Sequence, residues 1–359
     1  MTSRVLALAL AAARAGCPPA PTYEPLSKRT LVVEDPRFGP ITREYVLHLP
    51  AHGKVPTGSP LALGFHGQGG RAHEMPSDHA LWSERASENG WITAYPQGLA
   101  DFPTGFDSGW NVGTNHLNST CLASTPKRYG DGCHESCAKL DMCSNCCWST
   151  CYDDVAFVQA LLASLEAELC LDTTRYFAWG ESNGAMMVHY LSQRLPGTFA
   201  GVVPYYGLPL LGQLVGPDYE LVRNAVEAAR TSLLQMHDRS DATVPWQGGA
   251  SADGWLYEPL NATVGVWAAL HGCSLRSTLD PTPYDPSTDT RCYWHAACRG
   301  GARVGFCLYD GEHGDEPRQR RADRLVWDFV LNVSRAVGEL PGKVPGLARY
   351  VLGEARGAT

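Results

Sequence analysis

Polar and apolar residues alternate in two short stretches near the start of the chain. These are Arg29-Thr30-Leu31-Val32-Val33 and Arg43-Glu44-Tyr45-Val46-Leu47-His48-Leu49. A period of two predicts a pair of antiparallel strands, each with one buried face. Leu61-Ala62-Leu63-Gly64-Phe65 is apolar throughout and runs into His66-Gly67-Gln68-Gly69-Gly70. That reads as a fully buried strand followed by a glycine-rich turn. Residues 81–89 read as a helix, and 91–95 as a strand stopped by Pro96. The next clear period is helical: Val155, Val158, Leu161, Leu162 and Leu165 share one face of a helix over 153–169. Further strands are expected at 175–179, 201–205, 232–236 and 303–308, with helices at 184–195 and 321–337. Strands alternating with helices predict an α/β fold, a mostly parallel central sheet with helices on both faces. No repeat and no second domain pattern emerges.

The chain has 359 residues, 44% apolar and 18% charged, enough for one large domain or two small ones. Its formal net charge of −8 argues against a nucleic-acid partner and fits simple solubility. Arg4, the apolar run Val5 to Ala13, and Ala13-Arg14-Ala15 read as an export signal over 1–15, cut before Gly16. Ala15-Gly16-Cys17 also fits a bacterial lipoprotein signal, except that Arg14 stands where that signal has Leu. A proline-rich leader is expected over 16–30, a catalytic domain over 31–337, and a glycine- and proline-rich tail over 338–359. Of the 13 cysteines, seven crowd between Cys121 and Cys151. That density implies an oxidising compartment, and 121–151 reads as an irregular insertion stapled by disulfides. Cys143 and Cys146 have zinc-ligand spacing, but no matching second pair accompanies them. Cys273, Cys292, Cys298 and Cys307 are expected to bridge among themselves, leaving Cys17 or Cys170 as the odd thiol. Sequons at Asn118, Asn261 and Asn332 agree with secretion.

The candidate chemistry centres on Gly180-Glu181-Ser182-Asn183-Gly184. This G-x-S-x-G string falls between an expected strand and an expected helix, the setting of a nucleophile elbow. A sharp turn there lifts the serine above the sheet, and the flanking glycines avoid Cβ clashes. A serine hydroxyl needs a base. His271, His295 and His313 follow far enough downstream. His313 lies just past the last expected strand, whereas His271 falls in a probable helix and His295 in a cysteine-rich loop. The orienting acid is expected after the strand at 232–236, where Asp238 and Asp241 both stand. The backbone amides of Asn183 and Gln68 are candidates for holding an oxyanion. His66, Trp110, Glu181 and Trp246 are the candidates for lining the substrate. Glu181 either opposes a second negative charge beside the serine or turns to solvent, and solvent is the expectation.

The strings His66-Gly67-Gln68-Gly69-Gly70, Tyr95-Pro96-Gln97-Gly98, Asp153-Asp154-Val155-Ala156-Phe157-Val158, Gly180 to Met187, His237 to Pro245, and His313 together resemble a family. It is that of the extracellular feruloyl and acetylxylan esterases and the related short-chain polyhydroxybutyrate depolymerases. The resemblance covers 31–333 apart from the insertion. It implies an α/β-hydrolase fold, Ser182 as nucleophile, His313 as base and Asp241, rather than Asp238, as acid. It implies ester hydrolysis through an acyl-enzyme with no metal and no cofactor. The substrate would be an ester-bearing polysaccharide or, alternatively, a polyester. Asp238 and Glu181 depart from the family pattern, as does the insertion, which is expected to form part of the substrate rim. The remaining alternative is a non-catalytic binding glycoprotein on the same scaffold. A secreted monomer with no membrane partner completes the expectation.

Overall fold

A computed structural model describes residues 25–50, 58–101, 107–113, 119–124, 133–147, 149–214, 230–281, 289–314 and 320–333. The expected export signal and the C-terminal tail lie outside these residues, as do Asn118 and Cys17. The elements, in chain order, begin with β1 (Leu26–Asp35), β2 (Gly39–His48), β3 (Ser59–Phe65), α1 (Met75–Asp78), α2 (Ala80–Glu88) and β4 (Ile92–Pro96). They continue with α3 (Glu135–Lys139), α4 (Asp154–Glu168), β5 (Leu171–Glu181), α5 (Asn183–Arg194), β6 (Gly201–Tyr205) and β7 (Ser232–Asp238). After a small hairpin of β8 (Gly249–Ala250) and β9 (Leu256–Tyr257) come α6 (Leu260–Leu270), β10 (Ser277–Leu279), β11 (Arg291–His295), β12 (Val304–Tyr309) and α7 (Arg320–Leu331).

One sheet carries ten strands in the order β1-β2-β4-β3-β5-β6-β7-β12-β11-β10. From β4 to β12 the neighbours are parallel, while β1, β2, β10 and β11 form antiparallel edges. Every residue of β3, β4, β6 and β7 is buried. Central parallel strands are covered on both faces, so they are mostly apolar. β1 lies at an edge and alternates buried with exposed positions.

The period of two sorts β3 onto two cores. Leu61, Leu63 and Phe65 join Phe157 and Leu161 of α4 and Met187 and Leu191 of α5. Ala62 faces the other way, toward Trp82 of α2, Trp179 of β5 and Phe329 of α7. Each such fully buried Leu or Phe contributes about 1.5–3 kcal/mol relative to exposure. α4 starts where Asp153 accepts a hydrogen bond from the Ala156 amide at 2.9 Å, a normal N-cap.

Several expectations need correcting. β1 begins at Leu26, so the last residues of the expected 16–30 leader are strand. Polar Ser27, Lys28 and Arg29 hid the start of that strand, because an edge strand tolerates an exposed, charged face. His295 ends β11 rather than sitting in a loop. β10 at the edge and β11 beside it bury little, so neither carries a continuous apolar pattern. The insertion is not wholly irregular, since it contains α3. Its cysteines pair as Cys121–Cys146, Cys133–Cys143 and Cys137–Cys151. Cys143 and Cys146 therefore spend their sulfurs on disulfides, not on a shared metal. Cys273–Cys298 and Cys292–Cys307 bridge within the expected set. Cys170 is disulfide-bonded, and among the described residues the free thiol is Cys147.

The insertion is tied to the β8–β9 hairpin by backbone. The Leu122 amide donates to the Gly254 carbonyl at 2.8 Å, and the Leu256 amide to the Thr120 carbonyl at 3.0 Å. Cys121–Cys146 closes a separation of 25 residues, which predicts about 3 kcal/mol of stabilisation from chain entropy. Replacing both cysteines with serine is expected to lower Tm by several degrees, measured by calorimetry. An unchanged Tm would mean that backbone contacts alone hold this segment.

Candidate active site

β5 ends at Glu181, and α5 begins at Asn183, leaving Ser182 alone between them. Ser182 has φ 50° and ψ −117°, a backbone conformation that side chains rarely adopt. The neighbouring glycines make it possible. A Cβ on Gly180 would lie 2.7 Å from the Gly184 backbone, and one on Gly184 would run into the carbonyl oxygen of Phe65. The Ser182 amide donates to the Tyr205 carbonyl at 3.0 Å, anchoring the turn to β6.

Two loops at the carboxyl ends of neighbouring strands reach this serine. His313, beyond β12, places Nε2 3.0 Å from Ser182 Oγ. Its Nδ1 lies 2.8 Å from Asp241 Oδ2, on the loop beyond β7. A carboxylate only accepts, so Nδ1 carries the proton and Nε2 is left to accept from the serine hydroxyl. Asp241 is itself fixed, because its Oδ1 accepts from the Thr243 and Val244 amides at 2.8 and 2.7 Å. Behind it, buried His237 donates from Nε2 to the Val244 carbonyl at 2.8 Å. Such a chain can move a proton from the serine to His313 while Asp241 steadies the resulting cation.

The oxyanion candidates flank the serine. Asn183 is the first residue of α5, so its amide is among those a helix leaves without an intrahelical acceptor. Its buried side chain accepts from the Trp110 amide at 2.7 Å and donates to the Trp110 carbonyl at 3.3 Å. The Gly67-Gln68 turn lies alongside, since a Cβ on Gly67 would sit 3.4 Å from Ser182 Cβ. The Gln68 side chain donates to Asp107 at 3.0 Å.

The four expected substrate-lining residues divide. His66 is fully buried. Its Nε2 accepts from the Gly98 amide at 2.9 Å, so Nδ1 donates to the Gly67 carbonyl at 2.7 Å. It clamps the glycine-rich turn to the segment after β4 instead of facing a substrate. Trp110 is also fully buried, with Nε1 donating to the His66 carbonyl at 2.8 Å. Both side chains serve the framework, because residue type and position in the sequence do not reveal which way a side chain points. Trp246 lies on the same loop as Asp241, half-buried against the core. Glu181 does not turn to solvent. Its Oε1 accepts from the Gly67 amide at 3.1 Å and its Oε2 from the Tyr206 hydroxyl at 2.6 Å. Burial alone would raise its pKa, but the contacts with His79, Tyr206 and Gly67 outweigh burial and hold it at about 2. Tyr206 and His79 carried no motif. Tyr206 has φ 35° and packs its ring edge-on to His313, centroids 5.2 Å apart.

A second network supports the site from below. Arg43 pairs with Asp154 at 2.6 Å with both side chains out of solvent. Asp154 Oδ2 accepts from the Asn111 amide at 2.7 Å, beside the Trp110 that Asn183 grips. The pair thus links β2 and α4 to the start of α5.

With the parallel sheet, the strained serine turn and the two loops at its carboxyl edge in view, the architecture is clear. The fold is that of the α/β-hydrolases. The acetyl xylan esterase from Aspergillus awamori superposes with a TM-score of 0.51 at 14% identity, over 85% of this chain and 99% of that one. No protein-family model matches the chain. In sequence it is similar to feruloyl esterase B of Piromyces equi, 23% identical over 81% of this chain and 45% of the relative. It is also similar to the putative esterase NocK of Nocardia uniformis subsp. tsuyamanensis, 29% identical over 69% of this chain and 66% of the relative. The probable feruloyl esterase C of Aspergillus clavatus is 24% identical over 50% of this chain and 57% of the relative. The chain thus spans 45% to 66% of the length of these relatives. None of the helices among the described residues is long and apolar enough to cross a membrane.

Three buried histidines give a pH prediction. Burial lowers His66, His189 and His237 to about 4 from an ordinary 6.5, despite hydrogen bonds that favour the cation. Unfolding lets them protonate near 6.5, so the unfolded chain binds more protons between pH 6.5 and 4. Stability is therefore full above pH 6.5 and falls as pH drops toward 4. Glu181 adds a further loss below 4.5. A Tm that stays level from pH 7.5 to 4 would contradict neutral, buried imidazoles at these positions.

Proposed function

We propose that this chain hydrolyses carboxylic esters through an acyl-enzyme formed on Ser182. Its substrates are feruloyl or acetyl esters borne on a polysaccharide. The observation that carries the reading is the hydrogen-bond chain from Ser182 through His313 to Asp241. In this mechanism Ser182 Oγ attacks the ester carbonyl as its proton passes to His313 Nε2. Asp241 keeps the imidazole in the Nδ1–H tautomer and stabilises the cation. The Asn183 and Gln68 amides receive the charge that develops on the carbonyl oxygen. His313 returns the proton to the leaving alcohol, and water repeats the cycle in reverse to free the acid. No step calls for a metal or organic cofactor.

The names of the sequence relatives support the substrate class, and the five disulfides described support an exported protein. Trp246, half-buried on the Asp241 loop, is the retained candidate for a substrate contact. The disulfide-stapled insertion is proposed as part of the substrate rim, because it is joined to the β8–β9 hairpin that follows the same loop.

The test uses p-nitrophenyl acetate and methyl ferulate. Ser182→Ala is expected to lower kcat by at least ~10³-fold, and Asp241→Asn by on the order of 10³–10⁴-fold. Full activity in Ser182→Ala would end the acyl-enzyme reading. A folded wild type inert toward both esters would favour the non-catalytic alternative. Soluble hydroxy acid from polyhydroxybutyrate, with no ferulate released, would favour the polyester alternative.

A further inference from the structure

Glu181 is joined to both walls of the serine site. One carboxylate oxygen takes the Gly67 amide at 3.1 Å, on the turn whose next amide is the Gln68 oxyanion candidate. The other takes the Tyr206 hydroxyl at 2.6 Å. Tyr206 in turn presents its ring to the His313 imidazole, at a centroid distance of 5.2 Å and an interplanar angle of 74°. His79, buried at the junction of α1 and α2, brings Nε2 to 3.6 Å from the same Oε2. The Glu181 side chain keeps 23% of its exposure, so it is not sealed within the sheet.

We propose that Glu181 is a positioning residue that holds the oxyanion turn and the imidazole in register across Ser182. The inference rests on the acyl-enzyme reading above. A planar carboxylate suits the task because it offers two acceptors in fixed directions, one to each wall. It also explains how Tyr206 tolerates φ 35°: the bond at its hydroxyl and the Tyr206 amide's bond to the Met236 carbonyl at 2.9 Å hold both ends of the residue. Glutamine can serve both walls, with Oε1 accepting from Gly67 and Nε2 donating to the phenolic oxygen. Leucine, of similar size but without an acceptor, can serve neither.

A misplacement of about 1 Å at an attacking or oxyanion group costs on the order of 10²-fold. Glu181→Leu is therefore expected to lower kcat on p-nitrophenyl acetate by ~10–100-fold, with KM changed by less than about threefold. Glu181→Gln should recover most of that loss. Tyr206→Phe should lose less than Glu181→Leu, and adding it to Glu181→Leu should cost little more, because both remove the same link. Two readouts need no ester turnover: the rate at which a fluorophosphonate labels Ser182, and hydrogen exchange at the Gly67 amide. Glu181→Leu should slow the first and speed the second, with Tm checked to show that the variant is folded. Unchanged labelling and exchange in a folded Glu181→Leu would overturn the proposal. So would losses in the double variant that simply add, or a Glu181→Gln as impaired as Glu181→Leu. A wild type that labels but turns over neither ester would instead count against the substrate reading alone, with labelling and exchange still deciding the role of Glu181. A folded wild type that does not label would overturn both.

Discussion

The turn from β5 into α5 fits only because Gly180 and Gly184 have no side chains. Backbone there meets backbone, with Gly184 against the Phe65 carbonyl at the end of β3. That contact brings the ends of two parallel strands together and forces Ser182 into a conformation it would not choose. The rest of the site is arranged around this one strained residue. Strain of that kind costs about 1–3 kcal/mol and persists only where its surroundings over-determine it. Here the surroundings are the Tyr205 carbonyl, the Asn183 side chain and the start of α5.

The supporting contacts form a continuous path. Arg43 on β2 holds Asp154 on α4, Asp154 holds the Asn111 amide, and Trp110 beside it is held by Asn183. Trp110 reaches back to the His66 carbonyl, and His66 clamps Gly98 and Gly67. A buried ion pair is weak evidence for stability in itself, but breaking one typically costs about 3–5 kcal/mol. Its consequence here is local order: each group in the path fixes the direction of the next, and the path ends beside the serine. On the opposite side, Val244 and Thr243 fix Asp241, and Asp241 fixes His313. The imidazole is thus located by the β7 loop, although it belongs to the β12 loop.

The described residues of the insertion are held by more than their own packing. Its disulfides close short loops, and its edge is stitched by backbone bonds to the turn at Gly254 and to Leu256. It also reaches inward. The Ser149 hydroxyl donates to the Trp110 carbonyl at 2.9 Å, the carbonyl that the Asn183 side chain also uses. The periphery and the Ser182 turn therefore share an acceptor.

The sequence by itself determined the central architecture. Short apolar runs such as 61–65 and 201–205 read as strands covered on both faces, and the period of 153–169 reads as a helix. It also pointed to Ser182, because the glycines on either side are a steric requirement written in residue type, and to His313, because it follows the last such run. Only the tertiary structure decided the directions of side chains. His66 sits in a motif and Trp110 in none, yet both point inward, and Glu181, expected in solvent, turns back onto Gly67 and Tyr206. Only it could bring in Tyr206 and His79, which carry no pattern of their own. Edge strands such as β10 and the polar start of β1 escaped for a related reason: they bury little, so burial leaves little trace in their sequence. Periodicity records how much of a segment is buried, whereas a site depends on where each polar atom finds its partner, and those partners are distant along the chain.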